Sequence, residues 1–338
     1  MGEITTIGLD LAKSVFQVHC ADADGATVLQ RRLRRPQILA FFEKQAPCLV
    51  GMEACATAHN WARQIREIGH DVRLIPPQHV KAYVRRNKND AADAEAICEA
   101  VSRPRTRNVP IKSEDQQAAL VMHRTRDLLV RQRTMLVNAL RGHLAEFGIV
   151  ARKGLGNAAT LAAVVSDPED NPLPDVARAP LQMLVDQLAT IDDAVTALEK
   201  KMLAWHKATP ASRLLVTIPG IGPIIASAIA ATAPDPKVFG SGREFAAWIG
   251  LVPRQNSTGG KERLGRISKR GDRYLRRLLV NGATSVINSK TGNTDPWLAA
   301  LRRRKPPKVA AVAVANKLAR IAWAVMRRGE AFRAPAAA

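Results

Sequence analysis

The sequence predicts an α/β domain followed by a mainly helical remainder, and three observations carry that prediction. Short strand-like apolar runs alternate with helical patterns near the start. Long, glycine-poor helical patterns replace them beyond Lys112, and from about Ser212 the chain turns basic, glycine-punctuated and mostly helical. The expected domains are 1–112, 113–208 and 209–338. With 338 residues, 46% of them hydrophobic, the chain can bury a sizeable core.

In the first domain, Ile4 to Leu11 reads as a buried strand and Val15 to His19 as a second with alternating apolar residues. Asp22 to Gly25 supplies a turn, so Ala26 to Leu33 returns as a third, antiparallel strand. A helix is expected after Pro36, then a strand ending in LVGMEA, a helix from about Ala58 to Ile68, and a strand VRLIP stopped by Pro76 and Pro77. That order fits a mixed sheet with helices packed against it. AADAEAICEAV has the composition of one more helix.

Ser113 and Gln116 have capping-box spacing, and the segment to about Phe147 contains no proline and only Gly142. Such a helix spans roughly 50 Å at 1.5 Å per residue. A second long pattern, about Leu181 to His206, is expected to pair with it as an antiparallel coiled coil, with DPEDNPLPD as a loop between them. LVTIPGIGPIIASAIAA looks like a helix-hairpin-helix, in which glycines allow a tight turn and backbone amides meet a DNA phosphate at a helix N-terminus. A packing hairpin without DNA contact is the plainer alternative.

Lys and Arg outnumber Asp and Glu by 51 to 30, a formal charge of +21, which points to a polyanionic partner and favours nucleic acid over membrane. No run of about 18 uninterrupted apolar residues and no basic-then-apolar leader is present, so a cytoplasmic protein without membrane segments is expected. Cys20, Cys48, Cys55 and Cys98 form no CxxC pair, and the histidines lack zinc-ligand spacing.

Against that basic background, acids stand at four particular places. Asp10 ends the first strand and Glu53 ends the strand LVGMEA. Asp90 and Asp93, three apart on a helix, share a face. A converging carboxylate cluster repels itself unless cations occupy it, and Mg2+ takes hard oxygen ligands of this kind; a pair of ions about 4 Å apart can stabilise both the attacking and the leaving oxygen of a phosphodiester. Taken singly, each acid is an ordinary cap, turn or surface residue.

From Arg254 to Arg277, nine basic residues face only Glu262 and Asp272, interleaved with Gly259, Gly260, Gly265 and Gly271. Arg254, Lys261, Arg263, Arg266, Lys269, Arg270 and Arg273 are the candidate nucleic-acid contacts, in a loop able to approach phosphates. Arg302, Arg303, Arg304 and Lys305 form a further basic cluster. Ser257 lies within the basic loop. A loop serine is ordinarily a hydrogen-bonding residue, but serine attacks phosphorus where cations or bases activate it.

GLDLAKSVFQV, VGMEAC, KNDAADAEAI, TIPGIGP, NSTGGK and the terminal KVAAVAVANKLARIAWAVM occur in an order that resembles the DEDD transposases of the insertion-sequence family numbered 110/1111. The resemblance spans nearly the whole chain. It implies a RuvC-like ribonuclease H fold domain, a long-helix coiled-coil insert and a mainly helical C-terminal transposase domain. It also implies a recombinase that moves an insertion sequence, guided by a structured noncoding RNA that pairs with donor and target DNA. By the same resemblance Ser257 is the nucleophile of a transient phosphoserine link, Asp10, Glu53, Asp90 and Asp93 hold Mg2+, and a homodimer assembles into a tetramer associated with the nucleoid. Thr258 and, more weakly, Ser268 are competitors for the nucleophile. A RuvC-like Mg-dependent junction endonuclease and a non-enzymatic nucleic-acid-binding protein remain the alternatives.

Overall fold

The computed structural model describes residues 2–84, 90–104, 106, 108–152, 154–167, 173–233, 235–289 and 295–333; Lys88 and Asn89 of the Asp-rich motif lie outside them. The fold is mixed α/β. The chain divides into two compact units, Met1–Glu114 and Asp115–Ala338.

In the first unit, strands β1 (Thr6–Asp10), β2 (Val15–Ala21), β3 (Thr27–Arg34), β4 (Leu49–Glu53) and β5 (Asp71–Ile75) form one sheet in the order β3-β2-β1-β4-β5. The first three are antiparallel, and β4 and β5 run parallel to β1. The β2–β3 turn is tied by the Asp22 carboxylate, which accepts from the backbone N–H groups of Asp24 and Ala26. Alternation along the strands separates two faces. Ile7, Leu9, Phe16, Val18, Val50 and Met52 pack on one side with Phe42 of α1 (Ile38–Phe42) and Trp61 and Ile65 of α2 (Ala58–Glu67). Each such side chain, fully buried, contributes about 1.5–3 kcal/mol.

The opposite face carries the helix that positions the acids. α3 (Pro77–Val80) leads toward α4 (Asp90–Ser102), whose Ala96, Ile97, Ala100 and Val101 are buried with Ile75 and Val80. Gly8 and Gly51 are direct neighbours on β1 and β4. A Cβ on Gly8 would lie 2.1 Å from the Ala94 carbonyl oxygen and 2.6 Å from the Cys98 nitrogen, and one on Gly51 would lie 2.8 Å from the Val101 Cβ. The two glycines therefore open a slot into which the α4 backbone settles against the sheet.

In the second unit, α5 (Glu114–Ala145) and α7 (Asp175–Ala208) run antiparallel, with α6 (Ala158–Ser166) between them in sequence. The Trp205 indole N–H donates to the Asp115 carboxylate at 3.0 Å, Arg126 pairs with Glu199 at 2.6 Å, and Arg133 approaches Asp192 at 2.7 Å. Past these polar rungs, Val137, Leu140 and Leu144 pack with Leu161, Val165, Leu181 and Leu188. α7 starts six residues before the periodic pattern at Leu181 and contains Pro180, which removes one N–H from an early turn rather than ending the helix. α6 is a helix that the sequence pattern does not indicate. Its C-terminal carbonyls are met by Arg178, whose Nη1 donates to Val165 O at 2.8 Å and Asp167 O at 2.9 Å.

The remainder comprises α8 (Pro210–Leu215), α9 (Pro223–Thr232), α10 (Gly242–Ile249), a hairpin of β6 (Pro253–Gln255) and β7 (Leu264–Ile267), then α11 (Arg273–Ile287), α12 (Pro296–Arg304) and α13 (Pro307–Arg328). Leu215, Ile229, Phe245, Leu275, Leu279, Val314 and Leu318 are among the residues of their common core. α13 has the length and hydropathy of a membrane-crossing helix, but Ala310, Ala311, Val314, Ala315, Leu318, Ala319, Ala322 and Val325 are buried within this unit. It is a core helix. His123 ties α5 to two further helices: Ser227 Oγ on α9 lies 3.1 Å from Nε2, and Tyr274 Oη on α11 lies 3.0 Å from Nδ1. Ser227 directs its own proton to Pro223 O at 2.8 Å, so it accepts from Nε2–H and leaves Nδ1 to accept from the Tyr274 hydroxyl.

Candidate functional site

Strand register explains how distant acids reach one place. Leu9 and Met52 are paired and buried in the same core, so the next residues, Asp10 and Glu53, turn to the opposite face at the C-terminal ends of neighbouring parallel strands. That face is the one occupied by α4. Oxygens of Asp10, Asp90 and Asp93 lie within 4.8 Å of one another, with Asp90 exposed and the other two half-buried. Glu53 does not join this tight trio. Its charge is nonetheless felt beside it: the Cys55 thiol is raised first by desolvation, then by Glu53 and, more weakly, by Asp10.

The trio fits a divalent cation. Opposed oxygens of an Mg2+ shell lie about 4.2 Å apart, twice the metal–oxygen distance of about 2.1 Å. Small side-chain adjustments would therefore bring Asp10, Asp90 and Asp93 onto one ion. Among the described residues, no other group of three metal-ligating side chains converges in this way.

Beside the trio lies a groove of about 460 Å3, lined by Gln17, Gln30, Arg31, Arg32, Asp90 and Ala91. Asp10, Gln17 and Arg32 are successive partners across β1, β2 and β3 and so share a face. A phosphate backbone approaching the acids along this sheet would meet Gln17 and Arg32. Sequence inspection misses these residues because Arg31 and Arg32 read as ordinary exposed residues of an edge strand. His19, paired with Gly8 in register, lies buried on the same face with Gln30 Nε2 3.2 Å from its Nδ1; burial lowers its pKa, while Glu95 opposes that shift.

The basic segment is a β-hairpin rather than an irregular loop. Thr258 and Lys261 exchange backbone hydrogen bonds of 3.3 and 3.0 Å around Gly259 and Gly260, whose φ values are +55° and +78°. Positive φ at both central residues is the two-residue turn that matches strand twist, and Gly-Gly supplies it without strain. Ser257 lies one residue before that turn. It is exposed, and its Oγ accepts from the Arg263 N–H at 3.3 Å. Thr258 is part of the turn bridge, while Ser268 is half-buried with its backbone N–H bonded to Val252 O.

Arg254, Lys261, Arg263, Arg266, Lys269, Arg270 and Arg273 are all exposed. Two other cations of the basic stretch are engaged in the fold. Arg276 donates to Ile249 O at 2.8 Å and Arg270 O at 3.0 Å, and Arg277 pairs with Asp127 of α5. Gly271 also serves packing: a Cβ there would lie 1.9 Å from Trp248 O. The hairpin is thus fixed at its base and free along its length.

Two family models match separate stretches of this chain. A family model described as "Transposase", of the DEDD type, matches residues 7–149, and one described as "Transposase IS116/IS110/IS902 family" matches residues 212–298. A Pseudomonas aeruginosa protein named "Probable family 20 transposase" is 52% identical over 98% of this chain and 99% of its own length. The Yersinia enterocolitica transposase for insertion sequence element IS1328 is 43% identical, with the same coverage. The Coxiella burnetii transposase for insertion sequence element IS1111A is 38% identical over 98% of this chain and 92% of its own. Full-length identity at this level means that the chain belongs to the IS110/IS1111 family of insertion-sequence transposases.

Proposed function

We propose that the protein cuts and rejoins DNA at insertion-sequence ends through a phosphoserine link formed by Ser257, assisted by a divalent cation held by Asp10, Glu53, Asp90 and Asp93. The observation that carries this reading is the convergence of Asp10, Asp90 and Asp93 within 4.8 Å on the sheet end that also bears Glu53. The β3-β2-β1-β4-β5 order, with three antiparallel strands and two more parallel to the first, supports a RuvC-like ribonuclease H domain. The Gly220 turn between α8 and α9, at φ +85°, supports a helix-hairpin-helix role for that pair.

Chemically, Ser257 Oγ attacks the scissile phosphorus, an Oγ–P bond forms, and the bond from phosphorus to the sugar oxygen breaks. The hydroxyl proton leaves to solvent or a base, and the sugar oxygen departs as a hydroxyl. One phosphoester replaces another, so rejoining needs no ATP. When bound, Mg2+ would stabilise charge on the attacking and leaving oxygens. The exposed cations of the hairpin hold the DNA backbone, and the carboxylates of Asp10, Glu53, Asp90 and Asp93 would hold the metal when it is bound.

A structured noncoding RNA, pairing with donor and target DNA, supplies sequence choice in this proposal; the +21 charge suits a surface shared by RNA and duplexes. A homodimer assembling to a tetramer is proposed through the long helices of the 113–208 region. On α5, Val121, Leu128 and Met135 recur every seven residues and are 60%, 47% and 68% exposed, the spacing of a helix-pairing seam.

The test uses the full chain with Mg2+, a duplex carrying an element end and a transcript of the element's flanking noncoding segment. A denaturation-resistant protein–DNA adduct is expected, absent in Ser257→Ala, in Asp10→Asn and without RNA. Nicking by Ser257→Ala at the native rate, with no adduct from the native chain, would overturn the serine mechanism, and RNA-independent site-specific recombination would overturn the guide.

A further inference from the structure

A cavity of about 840 Å3 in the C-terminal unit, with no residue of the hairpin in its lining, has the composition of a nucleotide site. It lies among the start of α10, Trp297 of α12 and one face of α13; Arg243, Trp297, Asn316, Lys317, Arg320 and Trp323 are the polar and aromatic groups that matter. Its walls are fixed. A Cβ on Gly242 would lie 3.0 Å from Arg320 O, so α10 and α13 meet backbone to backbone, and Trp323 donates its indole N–H to Pro236 O at 3.0 Å. Trp297 stands in the first turn of a helix capped by Asp295, which accepts from its backbone N–H at 2.8 Å.

Trp297 is 39% exposed, unusual for a residue type that gains so much from burial, and Lys317 Nζ lies 4.1 Å from its ring centroid. Arg243, Lys317 and Arg320 have no carboxylate partner among the described residues. A ring face and three uncompensated cations around one recess complement a base joined to a phosphate. The volume is within the range of about 300–1,000 Å3 common for small-ligand sites. Bases within a duplex are already stacked on one another, so the indole face selects an unpaired one.

We infer that this cavity binds one unpaired nucleotide of a nucleic-acid strand, the base stacked on Trp297 and the adjacent phosphates held by Arg243 and Arg320, with Lys317 swinging from the ring onto the backbone. The inference rests on nucleic acid being this protein's partner, as proposed above. RNA and single-stranded DNA present the same chemistry here.

The experiment measures binding of labelled twelve-residue oligouridylate, oligothymidylate and a DNA duplex to the full chain by fluorescence anisotropy. Trp297→Ala is expected to weaken single-strand binding about tenfold, in line with the loss of one base–aromatic stack, while Trp297→Phe retains most of it and duplex binding changes less than about twofold. Arg243→Ala combined with Arg320→Ala should lower the log–log salt slope for the single strand by about 1.4, at about 0.7 per phosphate contact. Melting temperatures within a few degrees of native establish that the variants fold. A loss confined to the RNA assigns the site to RNA, a loss confined to DNA assigns it to a displaced strand, and a loss for both assigns it to either; each supports the inference. Unchanged single-strand affinity in both variants, with native duplex binding intact, overturns the cavity assignment alone. A native chain that binds none of the three probes overturns both this inference and the proposed function.

Discussion

The acidic face of the first unit and the basic hairpin of the second hold their side chains by opposite means. Asp10 and Glu53 end strands whose preceding residues, Leu9 and Met52, are fully buried, and α4 is seated in a slot opened by Gly8 and Gly51. Every residue from Pro253 to Arg266 is exposed, and the hairpin is shaped by its own backbone bonds and by anchors at its base. Core packing gives the acids fixed mutual geometry, which a cation requires. The hairpin has instead a surface that can follow a phosphate backbone, and a serine whose position is set by a two-residue turn. Geometry at the acids is therefore sensitive to distant packing, whereas geometry at the serine is sensitive to its turn.

The largest effect expected from this contrast is at Gly8. In Gly8→Val the first added carbon already meets the Ala94 carbonyl oxygen at 2.1 Å, so α4 must lift from the sheet and carry Asp90 and Asp93 away from Asp10. Overpacking against backbone places the loss at about 3 kcal/mol or more. Urea unfolding should show it, and any rise in melting temperature on adding Mg2+ should vanish. A variant that keeps native stability and native Mg2+ response would show that the slot does not position the acids.

Much of this contrast is legible in the sequence, for physical reasons that also explain what is not. Ile7, Leu9, Phe16 and Val18 alternate with the period of a strand, and Asp90 and Asp93 share a helix face by spacing alone. Gly8 and Gly51 give no warning, since a lone glycine in a strand does not say which helix will press on it. The hairpin reads as a loop because its strands are short and lack apolar alternation. Its signal is Gly259-Gly260, a turn pair whose composition equally suits a loop approaching phosphate. Counting charges cannot separate Arg276 and Arg277, which serve backbone carbonyls and Asp127, from their exposed neighbours. Pro180 hides the first turns of α7, because a proline near a helix start and one that ends a helix look alike without the carbonyls around it.

The hairpin's rear support provides the next test. α11 begins directly after the hairpin, and its Tyr274 donates to His123, whose pKa is lowered to about 4 chiefly by burial and secondarily by Arg126. Ser227, Tyr274 and Arg126 are the groups that bear on this imidazole, and none is a carboxylate that would stabilise its charged form. With the folded pKa depressed below the ordinary 6.5, the unfolded chain takes up a proton first as pH falls. The neutral histidine's contribution is present in full above pH 6.5 and is lost between about 6.5 and about 4, levelling off below. At 1.36 kcal/mol per pH unit the loss reaches about 3 kcal/mol. Urea unfolding of native chain and His123→Gln across that window isolates the effect from the carboxylates, because only the native chain carries it. Parallel stability profiles would mean that the histidine is charged or solvated in the folded protein.

The smallest effect bears most directly on the serine. Gly260 has φ +78°, and no atom lies within 4 Å of where a Cβ would stand, so Gly260→Ala meets no obstacle and costs only the left-handed conformation, about 1 kcal/mol. No buried residue depends on this turn, so global unfolding should hardly register the change. The strain instead falls on the bonds between Thr258 and Lys261 and on the Arg263 N–H to Ser257 contact, opening the hairpin locally. Adduct formation should therefore slow about fivefold while the melting temperature stays native, and a D-alanine at the same position, introduced by ligation, should restore the rate because it favours positive φ. Equal slowing by both alanine enantiomers would mean that the glycine is needed for clearance against DNA, and the control that the turn exerts over Ser257 would then lie with the bound nucleic acid rather than with the hairpin itself.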